Sequence, residues 1–191
     1  MSGFSVVSAL VLMGAGAYAF FSSSATSTGN IFDSGTLTLQ LDDNNEVTPA
    51  ATVTASIGGS NMAPGSTTSG FISMHNGGSI AIQAVDIKGT ETVSSSPDLA
   101  TKLLFDSVKT GDNSDCSTGA SDITASLIAA IGGSTLDKLN ATEYEIPGGL
   151  AVSATRYLCV TLKFDPTADN TFQGKTITET FTFVGDQDAS Q

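Results

Sequence analysis

Leu37, Leu39 and Leu41 alternate with Thr36, Thr38 and Gln40. That period of two predicts a strand with one dry face and one wet face. Asp42-Asp43-Asn44-Asn45 ends it, because such side chains bond their own backbone and tolerate turn dihedrals. Val53, Ala55 and Ile57 resume the alternation up to Gly58-Gly59, and Pro64-Gly65 marks another turn. Phe71-Ile72-Ser73-Met74 predicts a strand that breaks at Asn76-Gly77-Gly78. Ile80 to Ile87, Leu103 to Val108, Tyr157 to Phe164 and Thr176 to Val184 predict further strands. In the last of these, Thr178, Thr180 and Thr182 alternate with Phe181 and Phe183. Only Asp122 to Ile131 reads as a helix. Ile123, Leu127, Ile128 and Ile131 share one face, Asp122 can cap its start, and Gly132 can end it. Short strands punctuated by turn residues, with one short helix in a crossover, predict an all-β jelly roll or β-sandwich.

Ahead of these patterns, Phe4 to Phe21 is almost unbroken apolar sequence ending in Ala17-Tyr18-Ala19. Small residues in that arrangement predict a cleaved signal peptide, cut between Ala19 and Phe20. About 18 apolar residues could also just span a bilayer, but no basic stop-transfer cluster follows. Met1-Ser2-Gly3 lacks the Lys or Arg with which a signal begins, and a start site further upstream would supply one. The predicted organisation is therefore a signal at 1–19, an N-terminal arm at 20–34, one domain at 35–185 and a short tail at 186–191. The arm is small and polar from Ser22 to Asn30 and cannot bury itself. Export implies an extracellular or cell-surface protein that touches membrane only through an uncleaved signal.

Charge narrows the range of partners. The 191 residues carry 19 acidic and 7 basic side chains, a net charge of −12, with no basic residue before Lys88. Phosphate backbones need a concentrated Lys/Arg surface, so nucleic acid is excluded as a partner. Cys116 and Cys159 are the only cysteines. In an exported chain an even count favours a disulfide, although Cys159 sits in an apolar strand where a buried thiol is the alternative. His75 is the only histidine. Zinc hydrolysis normally takes three protein ligands, usually with paired histidines, and no Gly-x-Ser-x-Gly elbow offers a nucleophile instead. No catalytic residue or metal ligand is therefore assigned, and His75 reads as a turn residue. Asp42-Asp43-Asn44-Asn45-Glu46 and Asp112-Asn113-Ser114-Asp115 bear oxygen ligands that would suit calcium. Neither has the spacing of an EF-hand loop, so solvated turns and no cofactor are expected. Asn140-Ala141-Thr142 is the one N-glycosylation sequon.

Several pieces of the chain, taken in order, resemble the TasA/camelysin family. Tyr18-Ala19-Phe20-Phe21-Ser22, Thr26-Ser27, Asn30-Ile31-Phe32 and Gly35-Thr36-Leu37-Thr38-Leu39 are similar to the family's junction between signal and first strand. Met62-Ala63-Pro64-Gly65-Ser66, His75-Asn76-Gly77-Gly78-Ser79, Phe164-Asp165 and Asn170-Thr171-Phe172-Gln173-Gly174 extend the likeness along the chain. Ser23, Ser24 and Ala25 depart from an acidic run, and Ser66 stands where the family has Asp. The resemblance implies a jelly roll, export, and assembly into surface or biofilm-matrix filaments with self as the main partner and other matrix proteins beside it. It implies that Phe20, Phe21, Ser22, Ser23, Ser24, Ala25, Thr26, Ser27 and Thr28 add a strand to the next subunit. The family also carries a metallopeptidase label, so a peptidase and a monomeric exported accessory protein are the alternatives.

We expect N-terminal sequencing of exported material to begin at Phe20. Exported protein that retains Leu10-Val11-Leu12 would contradict the signal assignment.

Overall fold

The computed structural model describes residues 35–42, 62–93 and 96–187. The signal at 1–19, the arm at 20–34 and the alternating run at 53–57 lie outside the described residues. Eight strands occur among the described residues: β1 (Leu39–Asp42), β2 (Thr67–Asn76), β3 (Ala84–Val93), β4 (Leu103–Gly111), β5 (Ser121–Asp122), β6 (Tyr144–Ile146), β7 (Thr155–Phe164) and β8 (Thr178–Asp186). One sheet runs in the order β1-β2-β7-β4-β5 and the other β6-β3-β8. All pairings are antiparallel.

The chain passes from sheet to sheet at β2–β3, β3–β4, β5–β6, β6–β7 and β7–β8. These crossovers make the sandwich, because each sheet has a greasy face that only the other can cover. In β7 the alternation is clean: Leu158, Val160, Leu162 and Phe164 are buried, while the residues between them are only partly covered. Ile72 and Met74 from β2, Phe105 and Val108 from β4, and Val85 and Ile87 from β3 join the same core.

The helical crossover forms where the apolar spacing placed it. Helix α1 (Thr124–Ile131) buries Leu127 and Ile131, with Ile123 buried just ahead of it and Gly132 at φ 77° ending it. Ile123 occupies the cap position, so Asp122 acts from one residue earlier. Its carboxylate accepts from the Thr124 amide at 2.9 Å and from the Thr124 hydroxyl at 2.6 Å. These bonds hold the Asp122 pKa below the usual carboxylate range. Ile128 is only half-buried. A six-residue helix, α2 (Leu136–Ala141), follows in the same crossover and buries Leu136 and Leu139. Two apolar positions give too little periodicity to detect it in the sequence.

The strand anticipated from Ile80 begins later, at Ala84, and runs on to Val93. Residues before Ala84 are diverted, since Ile82 pairs with Leu150 in an isolated bridge. The short β6 has too few residues for its own alternation to show.

Two cross-links fix the loops. Cys116 and Cys159 form a disulfide, with Cα atoms 6.2 Å apart across 43 residues of sequence. Cys159 lies between the inward-facing Leu158 and Val160 and so turns away from the core, drawing the 112–118 loop onto the outside of β7. The loop closes so tightly that a Cβ on Gly111 would stand 2.8 Å from Cys116 Cα. At the other side of β7, Arg156 donates through Nη1 to the carbonyls of Pro147 and Gly148, at 2.7 and 2.8 Å. Its Nη2 reaches the buried Thr110 hydroxyl at 2.8 Å. One guanidinium thereby ties the β6–β7 turn to β4.

Replacing Cys116 and Cys159 together with Ser is expected to lower unfolding free energy by about 2–4 kcal/mol. A urea titration of oxidised wild type against the variant measures it, and coincident midpoints would contradict the disulfide's role.

Candidate assembly site

Asn76 ends β2 and is completely buried. A buried amide must find partners for both its oxygen and its nitrogen. Here Nδ2 donates to the Ile80 carbonyl at 2.8 Å and the Leu150 carbonyl at 3.1 Å, and Oδ1 accepts from the Gly78 amide at 2.9 Å. Its main chain bonds the 151–154 turn, through Ala154 O and Ser153 N. Sequence reasoning treated Asn76 only as a strand break, whereas it is the junction of three chain segments.

A fourth segment docks beside it. The chain entering the domain at 35–38 lies against the Gly77–Ser79 turn. Gly77 N donates to Thr38 O at 2.9 Å, Ser79 N to Thr36 O at 2.9 Å, and Thr36 N to Ser79 Oγ at 2.8 Å. A Cβ on Gly78 would fall 2.2 Å from Thr36 O, so only glycine lets the two backbones meet. The start of the domain at 35–38 is therefore fixed by main-chain bonds.

A second meeting of the same kind occurs at the far end of β2. Gly65 N donates to Phe164 O at 2.8 Å, and Phe164 N donates to Ser66 O at 2.9 Å. Asp165 follows, accepting from the Thr167 amide and hydroxyl and from Lys102 Nζ. The Thr167 bonds, then Lys102, hold its pKa down to about 2.

The sheet edges differ sharply in length. β1 has four residues, β5 two and β6 three, but β8 has nine. Among the described residues β8 pairs with β3 alone. It carries no Pro and no Lys, the devices that usually blunt an edge. Phe181 and Phe183 turn toward the core, while Thr180, Thr182 and Val184 are exposed. A Cβ on Gly185 would stand 3.4 Å from Leu39 Cβ, so β8 and the incoming β1 flank the same side of the sandwich. The alternation in β8 was legible, but its place at an edge was not, because edges depend on pairing order.

The sequence profile of the camelysin metallo-endopeptidase family matches residues 1–191. The chain belongs to that family, which includes TasA. No curated protein sequence gave a significant match. The family's likenesses meet in space: Gly35-Thr36-Leu37-Thr38-Leu39 lies on Asn76-Gly77-Gly78-Ser79, and Pro64-Gly65-Ser66 lies on Phe164. These family pieces are held to one another by backbone bonds.

The family's description implies a metal, and among the described residues the side chains do not gather into a zinc centre of three protein ligands. His75 is the single histidine of the chain, and its Nδ1 lies 2.9 Å from Thr155 Oγ1 on the neighbouring strand. Among the described residues no three His, Cys, Asp or Glu side chains gather where an ion could sit. In the 112–118 loop, Asn113 Oδ1 accepts from the Ser117 and Thr118 amides and Asp115 Oδ1 from the Ser117 amide, so those oxygens serve their own turn. Of the other acidic run, 43–46 lies outside the described residues. Asn140 of the sequon lies on α2 with its side-chain oxygen buried. Among the described residues no helix is long and apolar enough to cross a membrane.

Asn76→Ala strips partners from two carbonyls and one amide, and is expected to cost about 3 kcal/mol of stability. His75→Ala, next to it, is expected to cost under about 1 kcal/mol. Chemical denaturation of both variants tests the contrast, and equal losses would contradict the hub.

Proposed function

We propose that the protein is an exported structural subunit that polymerises by strand addition into extracellular or biofilm-matrix filaments. The segment beginning at Phe20-Phe21 is the donated strand, and β8 of the next subunit is the edge that receives it. The single observation that carries the reading is the long β8 edge, whose strand pairing among the described residues is with β3 alone and which holds no protective Pro or Lys. Membership of a family that includes TasA supports it. A strand added at such an edge gains backbone hydrogen bonds along its length, and alternate side chains set its register. Phe20 and Phe21 head an otherwise small, polar arm of Ser22 to Thr28, so the aromatics supply the anchor and the backbone supplies most of the remaining affinity. The arm leaves the domain at Gly35, on the β1 side that β8 also flanks. Direct addition to its own β8 would compete with donation to a neighbour, which makes the outcome dependent on protein concentration.

The peptidase alternative would require a metal centre, and the described residues offer no group of three His, Cys, Asp or Glu side chains to support it. A monomeric accessory role would leave the long edge without a partner.

The test compares mature protein from Phe20 with a version lacking Phe20 to Thr28, by negative-stain microscopy and sedimentation. Strand donation predicts filaments from the first and folded, β-rich monomers from the second. Filaments from the truncated chain would overturn the proposal.

A further inference from the structure

Glu91 and Glu179 stand directly opposite each other in the antiparallel pairing of β3 with β8. Both lie on the inward face, Glu91 in step with Val85 and Ile87, Glu179 in step with Phe181 and Phe183. Helix α2 covers them. Gly89 leaves the space for this, since a Cβ there would stand 2.3 Å from Asn140 Oδ1 and 2.7 Å from Glu179 Oε1. Both carboxylate oxygens of Glu179, Oε1 of Glu91 and Oδ1 of Asn140 are buried without a hydrogen-bond partner. Every one of these atoms is an acceptor, and the donor beside them is the Asn140 amide nitrogen, whose interaction with Glu179 opposes the pKa rise. One amide cannot satisfy all the carboxylate oxygens gathered there. The ion pairs among the described residues lie elsewhere, at Lys102–Asp165, Lys138–Asp137 and Lys163–Asp106.

We propose that Glu179 keeps its proton where it faces Glu91, a carboxyl latch that fastens the start of β8 to β3 and opens when Glu179 ionises. A second negative charge beside Glu91, crowded out of water, is costly, and a proton on Glu179 supplies a further donor. The surroundings favour the same state. Burial raises the Glu179 pKa to about 7; the Asn140 side chain opposes the rise, and the negative charges of Glu91 and Asp98 add to it. Facing Glu179 are Glu91 from β3, Asp98 from the turn before β4, and Asn140 from α2, with no cation among them. Glu179 therefore binds its proton more tightly in the folded chain than in the unfolded one, where glutamate titrates near 4.5. The stabilisation is complete below that pH and is lost as pH rises toward about 7. The latch stands independently of filament assembly. If β8 does receive a donated strand, the same proton governs how firmly that edge is held.

The experiment follows thermal unfolding of the mature protein between pH 5 and pH 8, for wild type, Glu179→Gln and Glu91→Gln, with and without millimolar calcium. Glutamine brings the donor without the charge. Wild type is expected to lose about 5 °C more in Tm across this range than either variant. Asp86, whose pKa is raised by burial and by Glu143, Glu145 and Asp186, contributes equally to all three proteins and cancels. Carbon-detected NMR titration of wild type is expected to find one glutamate carboxyl with a midpoint well above the others, a readout that survives if a variant fails to fold. Identical pH slopes in all three proteins would overturn the latch, as would glutamates that all titrate below pH 5. Calcium that rescues wild type but neither variant at pH 8 would also overturn it, by assigning the missing partner to a cation.

Discussion

Asn76 holds together segments that strand pairing alone leaves apart. β2 ends there, the turn to β3 is pinned through Ile80 and Gly78, and the loop before β7 is pinned through Leu150, Ser153 and Ala154. The entering chain at 35–38 then rests on the turn so formed. A sandwich whose strands alternate between sheets needs its crossovers anchored, because each brings backbone polar groups close to a dry core. A single buried amide with all its bonds made meets that need at one end. Arg156 does comparable work at the β6–β7 turn, and the disulfide does it outside β7.

Much of the strand content was legible because period-two alternation reports which face is dry. β7, with its buried even positions, and β8, with Phe181 and Phe183 set between threonines, follow the pattern closely. Helix α1 was legible through Leu127, Ile131 and the stop at Gly132. The start of β3 was not, since Ile80 to Gln83 are as apolar as a strand but are claimed by Asn76 and Leu150. Nor was the Glu91–Glu179 pairing, which depends on register between strands nearly ninety residues apart. The Asn-Gly-Gly sequence announced a break; that its Asn is a hub depends on which segments arrive there.

The functional reading joins family membership with an edge. A family profile covering residues 1–191 identifies the kind of protein, and the geometry of β8 suggests how copies of it would join. Edge strands in monomeric proteins are normally short, charged or kinked, as β1, β5 and β6 are short here. β8 carries charge at Glu179 and Asp186, but its nine residues include neither Pro nor Lys, which is consistent with a surface kept for pairing. The acidic surface, at net charge −12, would keep unassembled copies apart until a backbone-directed contact overcomes the repulsion.

Hydrogen exchange along β8 tests this account most directly. The mature protein is compared as dilute monomer and as sedimented assembly, with attention to the amides of Thr180 to Val184 that point away from β3. Strand addition predicts fast exchange at those amides in the monomer and strong protection in the assembly, with little change in β7. Equal exchange at those amides in both states would contradict it.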